Sequence, residues 1–356
     1  MALDFNRLWS DEEVERFRNS WARFVEGEML PHDAEARRRG HVGHELWRRA
    51  GELGFLCVDI PEEWGGAGGD FRHEAVLHEE MARRALSGMS IGVHSIAAHY
   101  LLNHGTDDQK RRYLPRLAKG ELVGAIAMTE PGAGSDLQAI RTRAERHGNQ
   151  YAISGSKTFI SNGFLAGLVV VVCKTDPAER ARGISLILVE TEDCPGFRIG
   201  RLLDKIGRKA QDTAELFFEE VRVPADNLLG GVEGQGFYQL MADLPYERMM
   251  IGVGALAAME APTARPWTMS ARDKASAGQL PISRTPGLSS PRSRRKSQWA
   301  RLHRPAHSER NDIHVGETPD RSGAGVCKES VADHGQDEHD LSLWSERHSQ
   351  RCQQRS

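Results

Sequence analysis

Ala127-Met128-Thr129-Glu130-Pro131-Gly132-Ala133-Gly134-Ser135-Asp136 follows an apolar run, Leu122 to Ala127, that reads as a strand. Pro131 removes a backbone donor, and Gly132 and Gly134 permit positive φ, so the strand is expected to open into a loop with free N–H groups that a ligand can approach closely. Thr129 and Ser135 add hydroxyls that donate or accept. By itself a Gly-x-Gly pair reads as an ordinary turn. It is no dinucleotide fingerprint, because no third glycine follows in register and no helix-opening pattern comes next.

Tyr151 to Gly163, Tyr-Ala-Ile-Ser-Gly-Ser-Lys-Thr-Phe-Ile-Ser-Asn-Gly, reads as a second strand–turn–strand ending in the turn pair Asn162-Gly163. M-T-E-P-G-A-G-S-D followed after a spacer by G-S-K-T-F-I-S-N-G resembles the flavin-binding strand pair of the acyl-CoA dehydrogenases, FAD enzymes of fatty-acid oxidation. On that resemblance Ile126, the Met128 backbone, Thr129, Gly134 and Ser135 meet FAD, Ser135 also meeting substrate. Phe159 covers one face of the isoalloxazine ring, where many relatives have Trp, and Ser161 places its hydroxyl near the hydride-accepting nitrogen. Without the resemblance, Phe159 and Ser161 are merely alternate positions of a strand.

The chain has 356 residues and a formal net charge of −3. That length suits two or three domains with sizeable cores. The near-neutral balance gives no argument for a nucleic-acid partner, and no apolar run is long enough to span a membrane. The amino terminus lacks the basic flank and apolar core of a secretory signal. Five cysteines, Cys57, Cys173, Cys194, Cys327 and Cys352, are scattered without metal spacing. They indicate a reducing, cytoplasmic setting without a disulfide framework.

The fold class expected is α+β. Residues 1–121 read as a helical domain, 122–232 as a compact antiparallel β-barrel or sandwich, and 233–261 as the first helix of a C-terminal helical bundle. Ser10 is the expected N-cap of the first helix, with Glu13 three residues on, and Val14, Phe17, Trp21, Phe24 and Val25 recur at helical spacing. Leu46–Leu53, His73–Ala85, Met89–Asn103 and Asp107–Leu117 are further helical stretches. Pro61 to Gly69 is a glycine-rich loop without the Lys and Ser/Thr of a phosphate loop. His94 and His99 lie on an apolar segment without a carboxylate or Cys at ligand spacing, so they read as packed histidines and no metal site is expected. From Leu168 to Val223, short β-rich runs alternate with turns. Helical periodicity returns at Gly236, and Pro245 is expected early in a new helix, where a missing N–H costs little.

Leu244-Pro245-Tyr246-Glu247-Arg248 is similar to the long-chain pattern within the family, a Glu directly before an Arg at the start of this helix. The resemblance makes Glu247 the catalytic base and Arg248 the contact to the CoA part of the substrate. Spacing alone gives a solvent-facing Glu near a helix N-terminus and an Arg in a surface ion pair. The activity implied is FAD-dependent α,β-dehydrogenation of medium-to-long acyl-CoA thioesters, with electrons passed to an electron-transfer flavoprotein. The alternatives are an acyl-CoA oxidase or an inactive truncated remnant.

Residues 262–356 contain no Phe or Tyr and are crowded with Ser, Arg, His and Pro, the composition of a disordered tail. A shifted reading frame near Pro262 gives a second explanation. Reading the third base of each codon with the first two of the next, Trp267-Thr268 forces an Asp codon. The overlaps through Gly287-Leu288 permit a string that resembles the family's Arg-x-x-Phe-Gly…Phe-Gln segment. The rest of the four-helix domain, with its homotetramer or dimer contacts and FAD-adenine contacts, is absent from the tail as translated. Weak FAD binding and instability are therefore expected of this chain.

Overall fold

A computed structural model describes residues 10–264. Readings that fall beyond Ala264, the tail and the shifted frame among them, lie outside the described residues. Six α-helices come first: α1 (Glu12–Phe24), α2 (Asp33–Arg39), α3 (His44–Glu52), α4 (Phe71–Arg83), α5 (Ile91–His104) and α6 (Asp107–Ala118). Asp11, not Ser10, caps α1: its carboxylate accepts from Val14 N at 2.9 Å. A carboxylate both satisfies the orphan N–H and complements the positive end of the helix, which a hydroxyl cannot. Val14, Trp21 and Phe24 are buried, and Trp21 Nε1 donates to Leu77 O at 3.2 Å, tying α1 to α4. α6 opens on a reciprocal capping box, Thr106 with Gln109.

Seven strands follow: β1 (Gly124–Ala127), β2 (Arg143–His147), β3 (Gln150–Ser161), β4 (Leu168–Lys174), β5 (Ile184–Glu190), β6 (Phe197–Leu202) and β7 (Thr213–Pro224). They form one sheet in the order β1-β4-β2-β3-β7-β6, with β5 also paired to β4. The sheet is mixed, so the expectation of an antiparallel barrel or sandwich is corrected. β1 and β2 each run parallel to β4, while the other pairs are antiparallel. The parallel pairing arises because the β2–β3 hairpin comes between β1 and β4 in the sequence, though not in the sheet, and brings the chain back in its original direction. β4 is buried along its whole length, as a strand covered on both faces requires.

Tyr151–Gly163 is also corrected: β3 is one continuous strand, and the turn begins only at Asn162, at φ 60°. At Gly155 the pairing of β3 with β7 shifts register, but the strand runs on. The Gly155 φ is +156°, and a Cβ there would lie 2.4 Å from Thr142 Oγ1.

The helices dock on the sheet at Gly124. A Cβ at that position would come within 2.9 Å of Ala97 Cβ on α5. Its N–H donates to His94 Nδ1 at 3.1 Å, and its carbonyl accepts from Asn162 Nδ2 at 3.0 Å. Burial lowers the His94 pKa to about 4, so the ring is neutral, with Nδ1 the acceptor and the proton on Nε2.

After β7, α7 (Gly236–Ala264) is a single helix. The expected break at Pro245 is absent. Proline costs one i→i−4 bond, here at the Met241 carbonyl, but Met241, Ala242 and Pro245 are all exposed and water can satisfy that oxygen. Packing of α7 against α4 and α5 holds the helix across the gap. Among the described residues no helix is long and apolar enough to cross a membrane.

Two glycines give opposite expectations. Gly120 has φ +67°, and a Cβ there would meet the Trp47 carbonyl oxygen at 2.3 Å. Gly120→Ala should lower stability by at least about 1–3 kcal/mol. Around Gly132 a Cβ meets nothing within 4 Å, so Gly132→Ala should stay within about 0.5 kcal/mol of the parent. Urea unfolding midpoints of the two variants check both.

Candidate active site

The loop after β1 is built on a buried ion pair. Glu130 Oε1 accepts from Lys157 Nζ at 2.8 Å and from Thr142 N at 3.0 Å, while Oε2 accepts from Arg141 N at 2.6 Å. Lys157, on β3, also donates to Met128 O at 3.0 Å, and its side chain has no exposure. Beside it Thr158 N donates to Thr129 O at 2.9 Å. The two long sequence motifs are thereby joined into one surface. Burial alone would raise the Glu130 pKa, but the Lys157 charge and the hydrogen bonds outweigh it and hold the carboxyl below its ordinary value. Burial draws Lys157 below the ordinary lysine value, against the opposing pull of Glu130.

Phe159 stands on a bulge: between the pairs Lys157–Leu216 and Ile160–Ala214, Thr158 and Phe159 together oppose the single residue Glu215. The Phe159 φ is +59°, a region costly for an aromatic residue, and the residue is 67% exposed. The backbone thus spends strain to present a flat apolar ring to solvent. Ser161, half-buried, follows at the end of β3 opposite Thr213. Ile126 and Met128, also half-buried, pack on the hydrophobic cluster that contains Tyr100 and Leu101 of α5. Gly134 and Ser135 lie exposed on the loop, and among the described residues no hydrogen bond joins them to the other expected site residues. Gly132 and Gly134 do not adopt positive φ, contrary to expectation. Their lack of a side chain instead leaves open space, since a Cβ at either would meet nothing within 4 Å.

Glu247 sits in the interior of α7, not near its N-terminus, which removes the reading of a solvent-facing carboxylate favoured by the helix dipole. It is half-buried, and Tyr100 of α5 donates its hydroxyl to Glu247 Oε1 at 2.7 Å. Burial raises its pKa above the ordinary glutamate value. The Tyr100 hydrogen bond and Arg248 oppose the rise, and the charge of Asp243 adds to it. Arg248 is exposed, and among the described residues no ion pair forms to it. The Glu247 helix and the loop meet through α5, which packs on both α7 and β1.

Asp59, Asn103, His104 and Asp243 went unnoticed in the sequence, and His99, read there as a packed histidine, has a carboxylate partner. Asn103 and His104 bind the two oxygens of Asp243 at 2.8 and 3.0 Å, one helical turn from the Tyr100–Glu247 pair. His99 Nε2 lies 3.3 Å from Asp59 Oδ2, to which Tyr246 donates at 2.7 Å. Burial works against charge on His99, but Asp59 prevails and raises its pKa to about 9. The available signal was two matching i,i+4 pairs, Tyr100/His104 and Asp243/Glu247, which can face each other on antiparallel helices. Among the described residues no cluster of His, Cys, Asp or Glu is arranged to hold a metal ion.

Glu130→Gln leaves Lys157 buried without its counter-charge and should cost about 3–5 kcal/mol in urea unfolding. Because the folded pKa of Glu130 is depressed, its contribution is fully present above its ordinary value of 4.5 and is lost as pH falls through the folded value. The variant should therefore show a weaker acid dependence of stability than the parent below about pH 4.5.

The N-terminal domain of acyl-CoA dehydrogenases matches residues 11–121, and their middle domain matches residues 125–221. Over 261 residues the chain is 47% identical to the long-chain specific acyl-CoA dehydrogenase, mitochondrial, of Sus scrofa, covering 72% of this chain and 60% of that one. It thus spans about 60% of the length of such curated relatives. Among solved structures, an acyl-CoA dehydrogenase from Geobacillus kaustophilus is 41% identical with a TM-score of 0.76, covering 85% of this chain and 80% of that one. A glutaryl-CoA dehydrogenase from Mycobacterium smegmatis in complex with FADH2 is 27% identical with a TM-score of 0.70, covering 86% and 75%. The two matched domains in order, on a fold shared at this identity, make this chain a member of the acyl-CoA dehydrogenase family.

Proposed function

We propose that this chain carries out FAD-dependent α,β-dehydrogenation of medium-to-long acyl-CoA thioesters and passes electrons to an electron-transfer flavoprotein. The observation that carries the reading is Glu247: a half-buried carboxylate of raised pKa, held by Tyr100 on a helix that packs on the same cluster as Ile126 and Met128. A base whose pKa is drawn toward the working pH is what proton removal next to a thioester carbonyl needs.

The residues present fit a flat aromatic cofactor. Phe159 offers an exposed ring, Gly132 and Gly134 leave open space, and the Thr129 carbonyl is held by Thr158 while its hydroxyl faces no partner among the described residues. Bound FAD would supply the acceptor for the hydride. In this reading Glu247 takes the proton from the α-carbon, and Arg248 meets the charged CoA portion. Ser135 and Thr129 contact cofactor and substrate, and Ser161 lies near the hydride-accepting atom. The domain limits at residues 121, 232 and 261, a homotetrameric or dimeric assembly and a cytoplasmic setting belong to the same proposal. So does the shifted frame after Pro262, which resequencing the codons for Gly254 to Gln279 tests.

Glu247→Gln should leave FAD binding intact and abolish anaerobic bleaching of flavin absorbance by acyl-CoA. With the parent chain, the bleaching rate should rise with pH through a midpoint above the ordinary glutamate value of 4.5, since the base acts only when ionised. Retained bleaching in Glu247→Gln would move the base elsewhere. Peroxide formed in air at the rate of turnover would make the enzyme an oxidase.

A further inference from the structure

We propose that Tyr100 is a positioning residue for the base, holding one oxygen of Glu247 so that the other is presented to substrate; this rests on the assignment of Glu247 above. Tyr100 is fully buried on α5, and its hydroxyl donates to Glu247 Oε1 at 2.7 Å. Among the described residues no hydrogen bond is made to Oε2. A carboxylate with one oxygen anchored and one free has its rotation about the final side-chain bond restricted, and restricting it lowers the entropy lost on reaching a reactive geometry.

The anchor is itself rigid. Asp243, one turn earlier on α7, is held by Asn103 and His104 of α5. Tyr246, next to Glu247, is held by Asp59 and lies 4.0 Å from the His99 ring, centroid to centroid. These contacts fix the rotation of α7 against α5, with the Tyr100 hydroxyl on Glu247 between them. Burial and the neighbouring carboxylates raise the Tyr100 pKa, so the phenol stays a donor throughout the working range.

The charged or titratable groups facing Glu247 are Tyr100 from α5 and Asp243 and Arg248 from its own helix. α4 offers Arg83 to Glu260, and β5 approaches at Ser185 beside Gly236. Removing the Tyr100 donor therefore takes away a group that favours the ionised carboxylate, with no other donor positioned to replace it.

The test uses the full chain with its glutamates 13C-labelled at the carboxyl, the Glu247 resonance being assigned by its loss in Glu247→Gln. Tyr100→Phe should raise the Glu247 titration midpoint by about one pH unit. It should also slow flavin bleaching at neutral pH and move the acid limb of the rate profile by the same amount, with acyl-CoA affinity unchanged. Should the phenylalanine variant fail to fold, 3,5-difluorotyrosine at position 100, a stronger donor of nearly the same shape, should move the midpoint downward. An unmoved Glu247 midpoint in the folded variant overturns the proposal. A moved midpoint with an unchanged bleaching profile also overturns it, since Tyr100 would then hold a carboxylate that is not the base. That outcome separates failure of the base assignment from failure of the Tyr100–Glu247 coupling.

Discussion

The ion pair between Glu130 and Lys157 is the constraint on which the cofactor-facing surface depends. Neither charge is solvated: one side chain has no exposure and the other 6%. Each is satisfied instead by several partners. Glu130 takes two backbone N–H groups besides the ammonium, and Lys157 adds the Met128 carbonyl. Isolated buried charges of this kind would be prohibitively costly, and pairing with further hydrogen bonds is the arrangement in which they persist. The energy gained is secondary to the specificity. A loop rich in glycine has many conformations, and this network selects the one in which Met128 and Thr129 lie against Thr158 and beside the exposed Phe159.

A second polar arrangement does for the helices what the ion pair does for the strands. Tyr100 meets Glu247 and His104 meets Asp243, two rungs between antiparallel helices. Asp59, His99 and Tyr246 form a third contact beside them. α5 lies between α7 and β1, so it sets the distance from base to strand pair. The close approach at Gly124, where no side chain would fit between α5 and the sheet, is what allows the two halves of the site to share one core.

Much of this was legible in the chain because it is local. The proline–glycine loop after an apolar strand, the helical spacing from Val14 to Val25, and the Leu-Pro-Tyr-Glu-Arg motif each depend on neighbouring residues. What was not legible depends on residues far apart. The unbroken apolar run of β4 shows that both its faces are covered but not which way each neighbour runs, so the mixed sheet could not be read from it. Lys157 looks like a solvated strand residue until Glu130, 27 positions earlier, is brought beneath it. Pro245 signals a helix boundary locally, and only packing on α4 and α5 with a solvent-facing gap lets the helix continue. Two glycines expected to serve through their backbone angles serve through the space they leave.

The most direct measurement of the central claim is the mass of the acyl-CoA recovered after anaerobic incubation with the FAD-supplied chain. The α-carbon and, in a separate sample, the β-carbon would carry deuterium. The account predicts a product that has lost one hydrogen from each of the two adjacent carbons, with slowed formation from either labelled substrate. Recovery of the thioester unchanged, or as its free acid and CoA, would contradict it.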